Sequence, residues 1–179
     1  MKKFEVTIEG ITPLKQYRPV GKDLEKEMEH RQRDEVAEVH CYRDDKGMIY
    51  APSRWFKGCI RDYLVSVSGK GSKQTTEREA SSYVLAEPPE CPLRPQQYEI
   101  DVTNVLVKKN GKIATMTTCV RPMFRPPWEI DFIVTFDLGK DAKEYKKIID
   151  GAGRAQGIGS NTKNGYGRFR VKTFNEIEV

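Results

Sequence analysis

A chain of 179 residues accommodates one domain, or two small subdomains that share a core, and excludes an array of several full-sized domains. Apolar residues make up 37% and charged residues 32%, and the formal net charge of +5 is compatible with a polyanionic partner without showing one. No apolar run is long enough to span a bilayer, and residues 1–6 enter a strand pattern directly. We therefore expect a cytoplasmic protein with no membrane partner.

The cysteines and histidines argue against a metal site. The four cysteines are scattered and form no Cys-x-x-Cys pair, so we expect buried, reduced thiols in a cytosolic setting. His30 and His40 are too few for a convincing histidine metal site. No cofactor and no metal are predicted.

The first forty residues combine one clear strand with irregular, charged segments. Alternating Phe4, Val6 and Ile8 predict a half-buried strand. Residues 10–21 read as an irregular segment, called the arm below, and residues 23–39 as a solvated helix or a partly disordered excursion. Short strands are predicted at residues 39–42 and 48–50, about a turn at residues 44–47.

A helix is predicted from Ser53, which follows a proline and suits the N-cap position. The helical spacing predicts a core-facing stripe, formed by Trp55, Cys59, Ile60 and Tyr63. A second stripe is basic, formed by Arg54, Lys57 and Arg61. Like charges at this spacing destabilise a helix unless an anion offsets them. The stripe is either an anion-binding face or an ordinary solvated face with acidic partners elsewhere.

The middle of the chain predicts loops around one long hairpin. Residues 66–80 are small and polar and predict a mobile basic loop, and proline-rich residues 87–95 predict an extended linker. Residues 98–119 alternate about a strong turn at 109–112, which predicts a hairpin. The alternation changes phase at residues 103–104, which predicts a bulge there.

The last fifty residues predict a strand, a helix, a glycine-rich segment and a final strand. Residues 130–136 alternate cleanly, and Asp141 with Glu144 forms a capping box that starts the helix. The helix is expected to end at the glycines of residues 151–167, before a strand at residues 168–174. A dinucleotide-binding motif needs a third glycine where this chain has Thr162, and it lies between a strand and a following helix, so this order of elements excludes it. A phosphate-binding loop of the Walker type is also excluded, because no Gly-Lys-Ser/Thr sequence enters a helix.

The glycine-rich segment carries the parts of a clamp for a nucleic-acid backbone. Its glycines allow close approach of another backbone, its basic side chains carry charge, and Tyr166 offers a stacking surface. The alternative is a simple connection between the last helix and the last strand. The order of elements predicts an α+β fold, a ferredoxin-like antiparallel sheet related to that of RNA-recognition modules, with two helices, a long hairpin and irregular insertions.

The segment at residues 50–61, with Pro52, Ser53 and Lys57-Gly58, resembles a signature of the repeat-associated mysterious proteins, the RAMP superfamily. The glycine pattern at residues 157–168 is similar to the glycine-rich loop of that superfamily. The family contains RNA-binding subunits and guide-processing endoribonucleases of CRISPR effector complexes, built on ferredoxin-like folds. The chain is also similar to small stand-alone relatives carried by phages and other mobile elements. The resemblance covers about one-sixth of the chain and suggests one RAMP-like domain over residues 1–179, with insertions around residues 10–40, 66–97 and 103–128.

The resemblance implies that both motif segments face a single-stranded nucleic acid, with RNA favoured and single-stranded DNA as the alternative. The predicted binding residues are Ser53, Arg54, Lys57, Arg61, Gly157, Gly159, Lys163, Gly165, Tyr166, Gly167 and Arg168. The first hypothesis is therefore a non-catalytic single-strand binder that assembles along the strand, as a homo-oligomer or within a ribonucleoprotein complex. No catalytic residue is assigned.

Two other functions remain open at this point. One is a metal-independent endoribonuclease that uses His30 or His40 with Tyr17 or Lys57, since such cleavage needs a general base and a general acid. The other is a protein-interaction subunit or mimic that keeps the fold but binds a protein.

Overall fold

The computed structural model describes residues 1–68, 77–109 and 111–178 and has an α+β architecture with antiparallel sheets. Within these ranges the strands are β1 (Lys2–Gly10), β2 (Leu14–Lys15), β3 (Tyr50–Pro52), β4 (Val84–Glu87), β5 (Glu90–Arg94), β6 (Glu99–Lys109), β7 (Lys112–Phe124), β8 (Glu129–Phe136) and β9 (Phe169–Ile177). The helices are α1 (Lys22–Met28), α2 (Arg33–Val39), α3 (Ser53–Val67), α4 (Glu77–Ser82) and α5 (Ala142–Ala155). A short 3₁₀ helix spans Thr162–Asn164.

The main sheet has six strands, with β1 and β8 at its centre. The strand order is β3-β5-β8-β1-β9, and β4 also pairs with β8. β4 and β5 follow one another along the same edge of β8, where β4 pairs with residues 133–136 and β5 with residues 129–130. The first and last strands of the chain are therefore neighbours, since β9 pairs with the other edge of β1.

The hydrophobic core lies between this sheet and the helices α3 and α5. The alternating residues of β1 and β8 are fully buried on the helix side, as their sequence pattern predicts. Phe56 of α3 stacks on Phe132 of β8 with ring centroids 4.2 Å apart. Tyr145 of α5 stacks on Phe136 at 4.5 Å. Two aromatic pairs thus fix both helices on one face of the sheet.

A smaller sheet, in the order β2-β7-β6, carries the long hairpin. Leu14 of β2 and Phe124 of β7 are fully buried and belong to the same core cluster as the main sheet. The α2 helix lies against β7, and Glu38 of α2 accepts a hydrogen bond from the Tyr98 hydroxyl at 2.5 Å. A hydrogen bond from Arg43 is the main cause that lowers the pKa of Glu38.

Several sequence predictions are confirmed. The hairpin strands meet at Lys109 and Lys112, although Asn110 of the predicted turn lies outside the described residues. Asp141 accepts a hydrogen bond from the Glu144 amide at 2.8 Å, and the Glu144 carboxylate accepts one from the Asp141 amide, so the capping box is present. Residues 23–39 form mostly helix, divided between α1 and α2. Three of the four cysteines are buried and Cys119 is half-buried.

Other predictions are wrong. Residues 87–95 are not a linker, because β5 buries Cys91 and Leu93 in the sheet although Pro92 lies between them. Part of the predicted loop at residues 66–80 is helical, since α3 continues to Val67 and α4 begins at Glu77; residues 69–76 lie outside the described part. The register shift of the hairpin lies between Val107 and Lys108, not at residues 103–104. Val39 ends α2 rather than starting a strand.

Candidate nucleic-acid interface

The first helical turn of α3 differs from the sequence prediction in two ways. Pro52 occupies the N-cap position and Ser53 is the first helical residue, so the Ser53 side chain does not cap the helix. Phe56, not Trp55, reaches the core, with 1% of its surface exposed. Trp55 is half-buried at the edge of the core and meets the Tyr42 ring edge-on at 5.3 Å. The helix therefore turns its Trp55 side toward the protein surface.

The glycine loop, residues 156–168, begins later than the sequence suggests. Gly151 and Gly153 belong to α5, where they give room to Tyr63 and Phe169. The remaining four glycines all have positive φ, between 71° and 87°, and Asn161 also adopts the left-handed region at φ 64°. Glycine reaches these angles without steric cost, so the loop conformation requires the glycine pattern.

Most of these glycines are needed because the loop folds against its own chain. The Ile158 amide donates to the Gly167 carbonyl at 3.0 Å, which closes the loop on itself. The Ser160 amide donates to Lys15 O and the Gly167 amide to Pro13 O, both at 2.8 Å, which fixes the loop on the arm. A Cβ at Gly157, Gly159 or Gly167 would lie under 3.0 Å from a backbone oxygen of the protein. The close approach that the sequence suggests for a ligand is here made by the protein itself, and only Gly165 faces open space.

The two motif segments line one cleft although about one hundred residues separate them. This α3–loop cleft has a volume of about 220 Å³ and lies between the first turns of α3 and the glycine loop. It brings together the following residues: Arg54, Trp55, Gly58, Cys59, Asp62, Gln156, Gly157, Ile158, Gly159 and Thr162. Three predicted binding residues, Arg54, Gly157 and Gly159, are therefore neighbours.

Cys59 at the base of the cleft is a structural residue. Its thiol donates to the Ala152 carbonyl at 3.3 Å and ties α3 to α5. Burial raises the pKa of Cys59 to about 12, so the thiol stays protonated at neutral pH. It offers neither a nucleophile nor a charged metal ligand to the cleft.

The other predicted binding residues are distributed around the cleft. Lys163 is exposed on the 3₁₀ helix of the loop, and the Arg168 guanidinium donates through Nη2 to the Thr162 carbonyl at 3.3 Å. Arg61 pairs with its neighbour Asp62 at 2.6 Å. Lys57 lies on a different side, in a depression beside the ends of β4 and β8. The predicted basic stripe of α3 is thus divided between two surfaces.

Tyr166 is only partly available for stacking. Its side chain is half-buried, and the Lys15 ammonium lies 3.7 Å from the centre of its ring. Such a cation over an aromatic face is attractive and orders the ring. One face of Tyr166 is therefore occupied by the protein.

Sequence reasoning missed a buried polar cluster behind the glycine loop. Lys15 of the arm pairs with Asp101 of β6 at 2.9 Å, and the same carboxylate lies 3.4 Å from Nε of Arg121 on β7. Arg121 Nη1 donates to the Ser160 hydroxyl on the loop at 2.8 Å. Since the residues come from four distant segments, no local spacing signals the cluster.

The face of the main sheet opposite α3 and α5, called the outer face below, has a different character. Arg94 pairs with Asp131 and Glu129, Lys172 pairs with Glu129, and Arg170 pairs with Glu9. The hydrogen bond from Arg94 is the main cause that lowers the pKa of Asp131. Each of these three cations of the outer face therefore has a carboxylate partner.

The two histidines lie in different surroundings. His30 is exposed, whereas His40 is buried and stacks on the Tyr17 ring with centroids 4.1 Å apart. His40 Nδ1 donates to the Arg18 carbonyl at 2.9 Å, an assignment that follows from the carbonyl being an acceptor. Neither histidine lines the α3–loop cleft. Among the described residues, no group of three potential ligands is arranged for a metal, and no helix is long and apolar enough to cross a membrane.

Comparison with known proteins supports the architecture rather than a close kinship. No protein-family model and no curated protein sequence matches the chain. A chain in the cryo-EM structure of the type III-B Cmr-beta bound to cognate target RNA does match, with a TM-score of 0.55 and 18% sequence identity. The match covers 99% of this chain and 61% of that chain, so the protein spans less than two thirds of its structural neighbour. The likeness shows that this protein shares the α+β fold of that chain.

Proposed function

We propose that the protein is a non-catalytic binder of single-stranded nucleic acid, with RNA favoured over DNA. The observation that supports this most is the convergence of the α3 segment and the glycine loop in one cleft, with cations that lack carboxylate partners at its border. Arg54 and Lys163 are exposed and Arg168 is half-buried, and none of the three forms an ion pair with a described residue, in contrast to the paired cations of the outer face. Exposed, unpaired cations neutralise phosphates and release counterions, which gives sequence-tolerant affinity.

The structural neighbour supports RNA as the ligand and a complex as the setting. That neighbour belongs to a structure bound to cognate target RNA. We place the strand in the α3–loop cleft and propose that the protein works as one domain in a ribonucleoprotein assembly. The order β1-α3-β4/β5-β8-α5-β9, with β1 and β8 at the centre, supports a ferredoxin-like core for that domain.

The direct test is a titration of fluorescently labelled single-stranded RNA, single-stranded DNA and duplex across a salt series. We expect single strands to bind more tightly than duplex. The log–log plot of affinity against salt should fall by about 0.7 for each phosphate neutralised, to a slope of several units. A flat plot, or no binding of either single strand at low salt, would refute the proposed function and favour a protein-interaction role.

Gly58→Ala tests the position of the strand without disturbing the fold. Gly58 lies inside α3, lines the cleft, and has no atom within 4 Å of where a Cβ would lie. Alanine should stabilise the helix by roughly 0.5–1 kcal/mol. If the strand lies against this surface, the added methyl group should weaken binding several-fold while thermal stability rises. Unchanged affinity in the more stable variant would show that the bound nucleic acid does not lie against α3.

The alternative of an endoribonuclease is tested on the same samples with a denaturing gel. Of the candidate pairs, the structure joins His40 with Tyr17, but outside the α3–loop cleft. We expect no cleavage of the bound RNA by the purified protein in the absence or presence of chelator. Reproducible cleavage that is lost in His40→Ala, with retained binding, would replace the non-catalytic proposal by the nuclease.

A further inference from the structure

Two arginines, each with one unmatched donor, make hydrogen bonds to neighbouring residues of the glycine loop. Arg121 holds Ser160 through Nη1, and Arg168 holds Thr162 through Nη2, only two residues further along the chain. Among the described residues, two buried side-chain polar atoms have no hydrogen-bond partner, and they are Arg121 Nε and Arg168 Nη1. Both belong to this pair. Buried donors without partners are rare in proteins and call for an explanation at each occurrence.

The charges around this segment do not balance. Lys15 and Arg121 are 1% and 5% exposed, and they share a single carboxylate, that of Asp101. Asp101 also accepts a hydrogen bond from the Thr103 hydroxyl at 2.9 Å. Arg121 Nε lies 3.4 Å from Asp101 but makes no hydrogen bond to it. One positive charge of this buried pair therefore remains uncompensated behind the loop, and the half-buried Arg168 adds another positive charge at Thr162.

A buried positive charge acts on the loop surface more strongly than a solvated one. Water screens the exposed lysines of this protein, whereas charges in a low-dielectric interior are screened much less. The Ser160 hydroxyl accepts the hydrogen bond of Arg121, so its own hydrogen remains available to donate, and Ser160 is half-exposed. The loop thus offers a hydroxyl donor at the surface with cations fixed behind it, a combination that suits an anionic oxygen.

We infer that the segment Ser160–Thr162, held by Arg121 and Arg168, is a phosphate subsite. One phosphate of a bound strand accepts a hydrogen bond from the Ser160 hydroxyl and is attracted by Arg121 and Lys15 behind the loop and by Arg168 beside it. This inference rests on the proposed function for the source of the phosphate. It adds Lys15, Asp101 and Arg121, which no sequence motif indicates, as residues that set the affinity of the site.

The test changes the charge of the cluster in both directions. Arg121→Met removes one positive charge, and Asp101→Asn removes the negative charge that offsets it. The matched controls are Arg94→Met and Asp131→Asn on the outer face, which make the same chemical changes in another ion pair. The probe is a labelled 12-nucleotide oligouridine RNA, titrated at 50, 100 and 200 mM salt, with urea unfolding of each variant.

We expect Arg121→Met to weaken binding about tenfold and to reduce the salt slope by about 0.7, the value for one phosphate contact on a single strand. Asp101→Asn should bind several-fold more tightly although it, too, loses stability. A purely structural role would weaken binding in both variants, so opposite shifts identify the electrostatic role. The outer-face controls should stay within about twofold of the parent. Parallel weakening in both cluster variants, or equal effects in the cluster and the controls, would overturn the subsite.

Inorganic phosphate separates failure of the subsite from failure of the proposed function. In melting experiments with millimolar phosphate, the parent and the controls should gain thermal stability, and Arg121→Met should gain none. If the parent binds no RNA but shows this pattern, the function is wrong and the subsite stands. If the parent binds RNA and Asp101→Asn binds no more tightly, the subsite is wrong and the function stands. If Arg121→Met does not fold, the affinity of Asp101→Asn for RNA alone decides whether the phosphate subsite is correct.

Discussion

Gly167→Ala is expected to unfold the protein or destabilise it by at least about 4 kcal/mol, a loss reached only by severe disruptions. The Cβ of an alanine would lie 1.8 Å from the Ile158 carbonyl oxygen, and φ at this position is 71°. The left-handed conformation alone costs roughly 1–2 kcal/mol for a residue other than glycine. The clash adds to this cost because the Cβ is attached directly to the backbone and the Ile158 oxygen is a backbone atom, so neither can rotate away.

Gly165→Ala is the matched control for that experiment. Gly165 has a φ of 87° but no atom within 4 Å of the position of a Cβ. It should lose only about 1–2 kcal/mol, the cost of the backbone conformation. Urea unfolding of both variants would measure the two losses, and their difference is the contribution of the close contact. Similar losses for both variants would show that the loop does not fold back on itself as described.

Phe56→Ala is expected to cost about 3–5 kcal/mol, the usual range for removing a buried phenyl ring. Phe56 is 1% exposed and stacks on Phe132 with an angle of only 5° between the rings, so its removal leaves a cavity between α3 and the sheet. For a protein of this size, each kcal/mol corresponds to about 2–4 °C in the melting temperature. Chemical denaturation with a circular-dichroism readout measures the loss.

Trp55→Ala serves as the neighbouring control. Trp55 is half-buried and lines the α3–loop cleft, so its truncation should cost about 1–2 kcal/mol, because less apolar surface is returned to water. Its effect should instead appear in RNA binding, since the indole borders the proposed strand position. If Trp55→Ala proved the more destabilising of the two, the orientation of α3 would be wrong.

Local periodicity predicted the elements whose signals lie within a few residues. The alternation at Phe132 and Val134, the capping box at Asp141 and the hairpin turn all depend on neighbours in the sequence. The side of α3 that faces the core was harder to predict. Trp55 lies four residues and Phe56 three residues before Cys59, so either one fits a core-facing stripe. Contact with β8 selects Phe56, and that contact is not visible in the helix sequence.

The candidate site was only partly predictable for a related reason. The resemblance to a known superfamily, not residue spacing, suggested that the α3 segment and the glycine loop face one ligand. The glycines were correctly singled out, but composition could not show that Gly159 and Gly167 make room for the protein's own backbone. Lys15, Asp101 and Arg121 meet only through tertiary folding, so the sequence alone gave no signal for their cluster.

The backbone hydrogen bonds within the glycine loop, and those between the loop and the arm, have an entropic consequence. The amides of Ile158, Ser160 and Gly167 are bonded although they lie outside regular secondary structure. Fixing the backbone of a flexible residue costs roughly 1–2 kcal/mol in conformational entropy. In this loop the backbone is already fixed when the protein folds, before any ligand binds. A strand that arrives at the loop meets a surface already in its final shape, so more of the contact energy remains as affinity.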